Sequence, residues 1–499
     1  MKNKILYIIL TLFIFTSCGK DYLDKSPTSD VPKDKLPGII KENPDVAKGI
    51  LRGMYALMCK GQIAQDAQVD FSIKAFEIST DMVSGDMAQT GDAYNKFWDS
   101  ELLTAVKTTS SQTYRTWTVL YKIILIANNI IKSSGGEEKA TEGSEYSWGQ
   151  GKAMRAYMYY KLAVIYGKGW AHKGDKLLPV YLSDQTEDGA RPPMSIEQLL
   201  TQCKKDAEQA VKALKGYKQE TKANIDINIA RGILSYICLY MEDYEGAKNN
   251  SQLVIDALGS NLMSASEVYN SGWRDITING FMWGSEINKE NTTQIGSYFA
   301  MLDIFTYGYA STPDRKRIDR SLFAKIHKDD IRRFQFLDAP GKSVDCIPYY
   351  KFWHKARVVD GDKDWEGDYE YMRVAEMYLI NAEAKAFLGE NTEAKKVLEH
   401  LIAKRHAKDV TSSVTNKPVT KSTEVPTYDM SDVKKAVNLQ WRIECWGEGK
   451  AYGVLKRFKY PSERGSNHAH RPNEKIPYDS DDITFQIPQR EVLNNPHIN

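Results

Sequence analysis

Binding a sugar asks a protein for two kinds of side chain. Flat apolar rings cover the C–H face of the pyranose, and planar polar groups reach its hydroxyls. Tyr94-Asn95-Lys96-Phe97-Trp98 supplies both within one short stretch. A second concentration lies in mid-chain: Trp273-Arg274-Asp275, Trp283, Tyr298-Phe299, Tyr307-Gly308-Tyr309 and Asp314-Arg315. The candidates for ligand contact are therefore Tyr94, Asn95, Trp98, Trp273, Trp283, Tyr298, Tyr307, Tyr309 and Arg315. Trp98, Trp273 and Trp283 lead because their neighbours are polar and Gly-rich. Trp117, Trp441 and Trp446 lie in helical patterns and are assigned to packing. Any one ring is more often core than contact. With 29 Tyr and 10 Trp in the chain, however, at least two of the group are expected at a ligand surface.

Catalytic constellations are sparse. The sequence holds no HExxH, GxSxG, Walker loop or GxGxxG. Of the eight His, only His468 and His470 are paired at short range, in a polar loop that reads as solvated rather than metal-binding. Asp81/Asp86 and Asp362/Asp364 are acid pairs of the type glycoside hydrolysis uses, a signal too common to carry weight. Asp360, Asp362, Asp364 and Glu366 alternate on a Gly-containing loop. That spacing does not match an EF-hand, so the expectation is an acidic turn with no metal or other cofactor, structural calcium being the alternative.

Away from these stretches, the N-terminus has Lys2 and Lys4, an apolar run from Ile5 to Phe15, and then Thr16-Ser17-Cys18. This is a secretory signal too short to span a bilayer. Small residues before Cys18 resemble a bacterial lipobox, which makes Cys18 the expected lipid-attachment site. No later run is long enough to cross a membrane, so acyl chains are the expected anchor. Formal net charge is +2 with acids and bases intermixed, which argues against a nucleic-acid partner. Cys59, Cys203, Cys238, Cys346 and Cys445 are scattered and form no CxxC, so neither a disulfide framework nor a thiolate metal site is expected, although a single disulfide stays open.

The elements that would carry these rings are mostly helical. Apolar residues recur at helical spacing from Pro44 to Met58, from Thr113 to Lys132, from Gly151 to Gly167, over 226–241 and over 375–386. Tyr240-Met241-Glu242-Asp243-Tyr244-Glu245-Gly246-Ala247-Lys248 and Phe387-Leu388-Gly389-Glu390-Asn391-Thr392-Glu393-Ala394-Lys395 share one plan: helix, short turn, then an acid and Ala-Lys opening a second helix. That is tetratricopeptide logic, in an array broken by long insertions. The largest interruption, about 264–370, is rich in Trp, Tyr, Gly and Asp and weakly periodic.

The chain resembles the SusD/RagB family of nutrient-binding outer-membrane lipoproteins of Bacteroidetes. The likeness runs from the Cys18 lipobox with Tyr22-Leu23-Asp24 and Pro27, through Trp117, Tyr121, Ala127-Asn128, Arg155-Ala156-Tyr157 and Tyr166-Gly167. It continues with Ala230-Arg231, Leu239-Tyr240, Arg373, Ala375-Glu376 and Tyr378-Leu379-Ile380. Its most specific stretches are C-terminal. Arg442-Ile443-Glu444 with Glu448-Gly449, Tyr452 and Leu455-Lys456-Arg457 is similar to the family's Glu-rich helix, and Phe485-Gln486-Ile487-Pro488 to its closing segment. Gln440, Trp441, Ala451 and Val454 depart from the common pattern at positions expected to form a structural polar network.

The resemblance implies a mainly α fold, with about four tetratricopeptide-like helix pairs and a large irregular ligand-binding insertion. The expected division is a signal peptide at 1–17, a lipid-anchored tether at 18–44 and one domain at 45–499. Within that domain the scaffold covers about 45–263 and 371–460, the insertion 264–370 and the closing segment 461–499. It also implies a non-enzymatic, cell-surface lid on a SusC-like TonB-dependent barrel that captures oligosaccharide. A peptide-binding lid is the alternative; a surface glycosidase and a protein-binding scaffold are weaker readings.

Overall fold

Paired helices set the architecture, and two short strand pairs fasten the irregular part to them. The computed structural model describes residues 44–185 and 189–498, with side chains from residue 48 on. The expectations for the signal peptide, for Cys18 and the tether as far as residue 43, and for Asn499 lie outside the described residues. The chain divides into two units, Met1–Gly49 and Ile50–Asn499. Of the first, the described residues are the opening of helix α1, Pro44–Ala56.

The second unit's principal elements are α2 (Ile73–Val83), β1 (Met87–Gln89), α3 (Ser111–Ser133), α4 (Glu145–Tyr166), α5 (Ile196–Ala213), α6 (Ile227–Tyr240) and α7 (Tyr244–Leu258). After the interruption come β2 (Phe281–Ser285), β3 (Lys316–Ile318), β4 (Tyr369–Arg373), α8 (Val374–Phe387), α9 (Asn391–Ala403), α10 (Val433–Glu444) and α11 (Ala451–Phe458). Four pairs pack together: α4 with α5, α6 with α7, α8 with α9, and α10 with α11. Each pair also packs on the next, through α5 with α6, α7 with α8 and α8 with α10, while α3 covers α4. This is the mainly α, tetratricopeptide-like arrangement that the pattern implies.

Local chemistry explains the boundaries. Ser195 and Gln198 form a capping box at the start of α5, and Asp226 accepts from the Asn228 and Ile229 amides at the start of α6. Asp243 caps α7 through the Gly246 amide, 3.0 Å away, which lets the 241–243 turn be so tight. Gly389 makes the equivalent turn before α9 with φ +81°, a left-handed conformation that favours glycine. At the α3–α4 crossing, a Cβ on Gly151 would lie 3.0 Å from Ile130 Cγ2, so a larger residue there would push the isoleucine side chain aside.

The interruption is longer than expected. The chain leaves the array after Leu258 and re-enters it at Val374, yet α7 still packs against α8. β2 and β4 pair antiparallel across its base, and β4 runs directly into α8. A second clasp pairs β1 with β3, Gln89 opposite Lys316, and so fastens the early segment to the interruption. Helix α2 has no amphipathic stripe to read: all of it is buried, Lys74, Glu77 and Asp81 included. The stretch similar to a single Glu-rich helix is instead two helices, α10 and α11. The chain breaks at Gly447 (φ +79°) and Gly449 (φ +71°) between them.

That break lets two buried glutamates tie three regions together. Glu444 accepts from Arg405 (2.8 Å to each oxygen), Arg373 (3.0 Å) and Arg332 (3.0 Å). Burial opposes its charge, but the three guanidiniums hold its carboxyl well below the usual range. Glu448 takes Lys351 and Arg373, each at 2.8 Å. Gln440, one of the departures from the family pattern, joins this network by accepting from Arg332 at 2.6 Å. Arg332 and Lys351 belong to the interruption, Arg373 to β4 and Arg405 follows α9, so the irregular part is bolted to the helical scaffold. Cys59, Cys203, Cys238, Cys346 and Cys445 are buried and free.

Candidate functional site

The β1–β3 clasp brings the two ring-rich stretches together, and the structure then sorts their rings by exposure. Tyr94 is 58 % exposed and Tyr307 42 %, and Asn95 beside Tyr94 is also open to solvent. Tyr309 is largely covered, but its ring lies 5.5 Å from that of Tyr94, with the planes at 60°. The Tyr309 hydroxyl donates to Gln68 Oε1, and Lys96 Nζ sits 4.7 Å from the ring centroid. Two residues away, Tyr307 meets Trp365 at 6.3 Å, and the Trp365 indole N–H donates to the Tyr307 carbonyl at 2.7 Å. Lys363 Nζ lies 5.4 Å from the Tyr307 ring. Tyr94, Asn95, Tyr307 and Lys363 are thus exposed groups of a site to which residues 92–98, 306–310 and 360–366 contribute.

Three of the candidates, two of the leading ones among them, are not on that face. Trp283 is fully buried in β2, its indole N–H donating to the Ala223 carbonyl at 2.8 Å and its ring edge-on to Tyr157 and Tyr371. Trp273 is 2 % exposed, packed against Phe281 and Phe352. Tyr298 is fully buried and donates to the Gly447 carbonyl at 2.6 Å. A ring without accessible surface cannot stack on a sugar, so these three belong to the core. Their small and polar sequence neighbours serve close backbone approach instead: a Cβ on Gly284 would lie 2.6 Å from the Tyr369 carbonyl. Trp98 is half-buried and opens a short helical turn, Trp98–Glu101. Arg315 spends its guanidinium on the Thr312, Ser343 and Ser311 carbonyls, bracing the turn below the rings.

Trp365, Lys363, Gln68 and Lys96 complete the face, and none was among the candidates. Trp365 was legible: it is a Trp in a polar, Gly-flanked loop, the same signal that singles out Trp98. The acid alternation around it reads as an acidic turn, which hides the ring. Asp362 is instead buried and paired with Arg274 at 2.5 Å, and it accepts from the Asp364 amide at 3.1 Å. Among the described residues, no group of three or more His, Cys, Asp or Glu is placed to hold a metal ion.

The remaining acid and His candidates are internal. Asp81 and Asp86 are both buried, and Asp86 pairs with Arg442 at 2.6 Å. Burial pushes the Asp81 carboxyl well up, and its partner is the Gly449 amide at 3.0 Å. His468 is buried between the Glu101 carboxylate and the Gly85 carbonyl.

Comparisons with known proteins place this geometry. Residues 340–499 match the model of the SusD family, and residues 21–238 match one described as starch-binding associating with outer membrane. No curated protein matches the chain. Among solved structures, a SusD-like carbohydrate binding protein from Bacteroides vulgatus is similar at 22 % identity over 91 % of this chain and 96 % of that one, with TM-score 0.75. A SusD superfamily protein from Bacteroides thetaiotaomicron is similar at 19 % identity over 91 % and 98 %, with TM-score 0.72. One from Bacteroides fragilis is similar at 18 % identity over 91 % and 99 %, with TM-score 0.71. The match over 340–499 takes in the end of the interruption and the Glu444 network apart from Arg332, and by these two matches the chain is similar to the SusD/RagB family.

Proposed function

We propose that this protein captures an oligosaccharide on the face formed by Tyr94, Tyr307, Tyr309 and Trp365, without turning it over. The observation that carries this reading is the pair of exposed tyrosines, each backed by a second ring, with Lys363 over Tyr307 and Lys96 over Tyr309. Exposed rings held at steep angles by a neighbouring ring offer apolar faces to sugar C–H groups. Asn95, Gln68, Lys96 and Lys363 supply donors and acceptors for hydroxyls at the rim. The face is open and shallow, which suits an extended oligomer that must be released again.

The words starch-binding and outer membrane in the matched family model, and the carbohydrate-binding name of the Bacteroides vulgatus relative, support the same reading. Among the described residues no helix is long and apolar enough to cross a membrane. Acylation at Cys18 would then tether the protein at the outer membrane, facing outward. There it would act as the lid of a SusC-like TonB-dependent barrel that imports the captured ligand.

The test is a glycan and peptide array probed with the soluble form beginning after Cys18, followed by calorimetric titration of any hit. Saccharide binding lost in a Tyr94→Ala, Tyr307→Ala double variant is the expected result. Binding to peptides alone would replace this reading with a peptide-binding lid.

A further inference from the structure

The loop that presents Tyr94 holds its own shape only in part, through the Asn95 amide on Asp92 Oδ1 (2.6 Å). Asp92, Ala93, Tyr94 and Asn95 are all exposed, and the backbone is left-handed at two non-glycine positions, Asn95 (φ +57°) and Phe97 (φ +63°). Asn tolerates that conformation but Phe resists it, so in an isolated loop Phe97 would leave it. Beneath the loop lie two fully buried charges from one stretch of the interruption, Asp314 and Lys316.

The Asp314 carboxylate accepts from the amides of Ala93 (3.0 Å), Tyr94 (3.1 Å) and Lys96 (2.9 Å), and from the Thr312 hydroxyl (3.1 Å). Lys316 Nζ donates to the Lys96 carbonyl (2.8 Å), the Gln89 side chain (2.8 Å) and the Asp314 carbonyl (2.6 Å). Burying an acid and a base is unfavourable unless each is satisfied. Here the acid is satisfied chiefly by the backbone of an exposed loop, and the base gives that loop one of its three bonds. The loop's amides point at the anion and one of its carbonyls at the cation, which is a fixed shape rather than a general attraction.

We propose that Asp314 and Lys316 are positioning residues for ligand capture, clamping the 93–96 backbone so that the Tyr94 ring stands against Tyr309. This rests on the reading of that face as the ligand surface. The clamp also explains why the early loop and the mid-chain interruption can form one site despite their separation in sequence. β1–β3 pairing sets the register, and the two charges then set the loop.

Two variants test it, Asp314→Asn and Lys316→Met, each close to isosteric. Hydrogen exchange on the free protein is read first. Charge-assisted bonds are lost, so the amides of 90–97 should exchange at least about tenfold faster, while α6 stays protected and reports an intact scaffold. Binding is then titrated with maltoheptaose and the other oligosaccharides of the array. Asp314→Asn should weaken it about as much as Tyr94→Ala does, and should add less than about twofold in a Tyr94→Ala background, because both act through one ring.

Unchanged exchange at 90–97 in both variants would overturn the clamp, as would losses that multiply in the double variant. If no saccharide binds the wild type, the ligand reading falls, and with it the role in capture. The exchange result then states separately whether the clamp exists.

Discussion

Truncating the exposed rings should weaken ligand binding by an amount that their exposure sets. Tyr94 is 58 % exposed. A tyrosine side chain presents on the order of 200 Å² in total, so about 115 Å² remains accessible, and one stacked sugar covers about half of that. At about 25 cal/mol/Å² the loss in Tyr94→Ala is about 1.5 kcal/mol, or roughly tenfold in Kd. Tyr307, 42 % exposed, should cost about 1 kcal/mol, roughly fivefold. If the two rings stack on different sugar units the losses multiply, to about fiftyfold in the double variant. Isothermal titration against the best saccharide of an array measures each Kd, and circular dichroism confirms the fold. Neither ring packs in the core, so the melting temperature should barely move. If both single variants and the double variant keep Kd within about twofold of wild type, the face is not the ligand surface and the reasoning from exposure fails.

Other expectations rest on burial and charge. Trp283→Ala should act on stability, by about 3–5 kcal/mol in urea unfolding, because a fully buried indole leaves a cavity; a stable variant with selectively weakened binding would return Trp283 to the ligand surface. Glu444→Gln removes the carboxylate shared by Arg332, Arg373 and Arg405, leaves Arg405 without its buried acid while Asp330 and Glu448 still face the other two, and should cost about 3–5 kcal/mol by the same measurement. For Glu463, burial raises the carboxyl, but bonds from Lys475 and Lys325 outweigh it and bring it from 4.5 to about 2. A depressed acid stabilises the fold fully above its unfolded value, and that contribution is lost as pH falls from 4.5 toward about 2. Glu463→Gln should therefore flatten the acid limb of the stability profile, and superimposable limbs would contradict the ion pairs. Cys18→Ala should release the protein from membranes; continued partitioning into a detergent phase would remove the lipid anchor from the account.

Much of the scaffold was legible because its signals are local. The two related helix-turn-helix stretches need only apolar spacing, an acid cap and a turn residue, all contiguous in sequence, and both fold as that pattern predicts. Helix α2 was not legible, because it is buried on all sides and its Lys74, Glu77 and Asp81 find partners only in three dimensions. The double helix α10–α11 was read as one element because the left-handed turns at Gly447 and Gly449 break an otherwise helical run.

For the candidate site, the sequence by itself determined where the ring-rich stretches lie, and the β1–β3 pairing decided that they meet. Composition marks such stretches, since rings among Gly, Asn and Asp are not a helical core. Which rings face outward was decided by tertiary structure alone. Trp283 and Trp273 have the same kind of neighbours as Trp98, but β2–β4 pairing and the Glu444 network draw their backbone into the core. Tyr94 stays exposed because Asp314 and Lys316, more than two hundred residues away, hold its loop at the surface. Exposure depends on which distant segments cover a residue, and no local pattern encodes that.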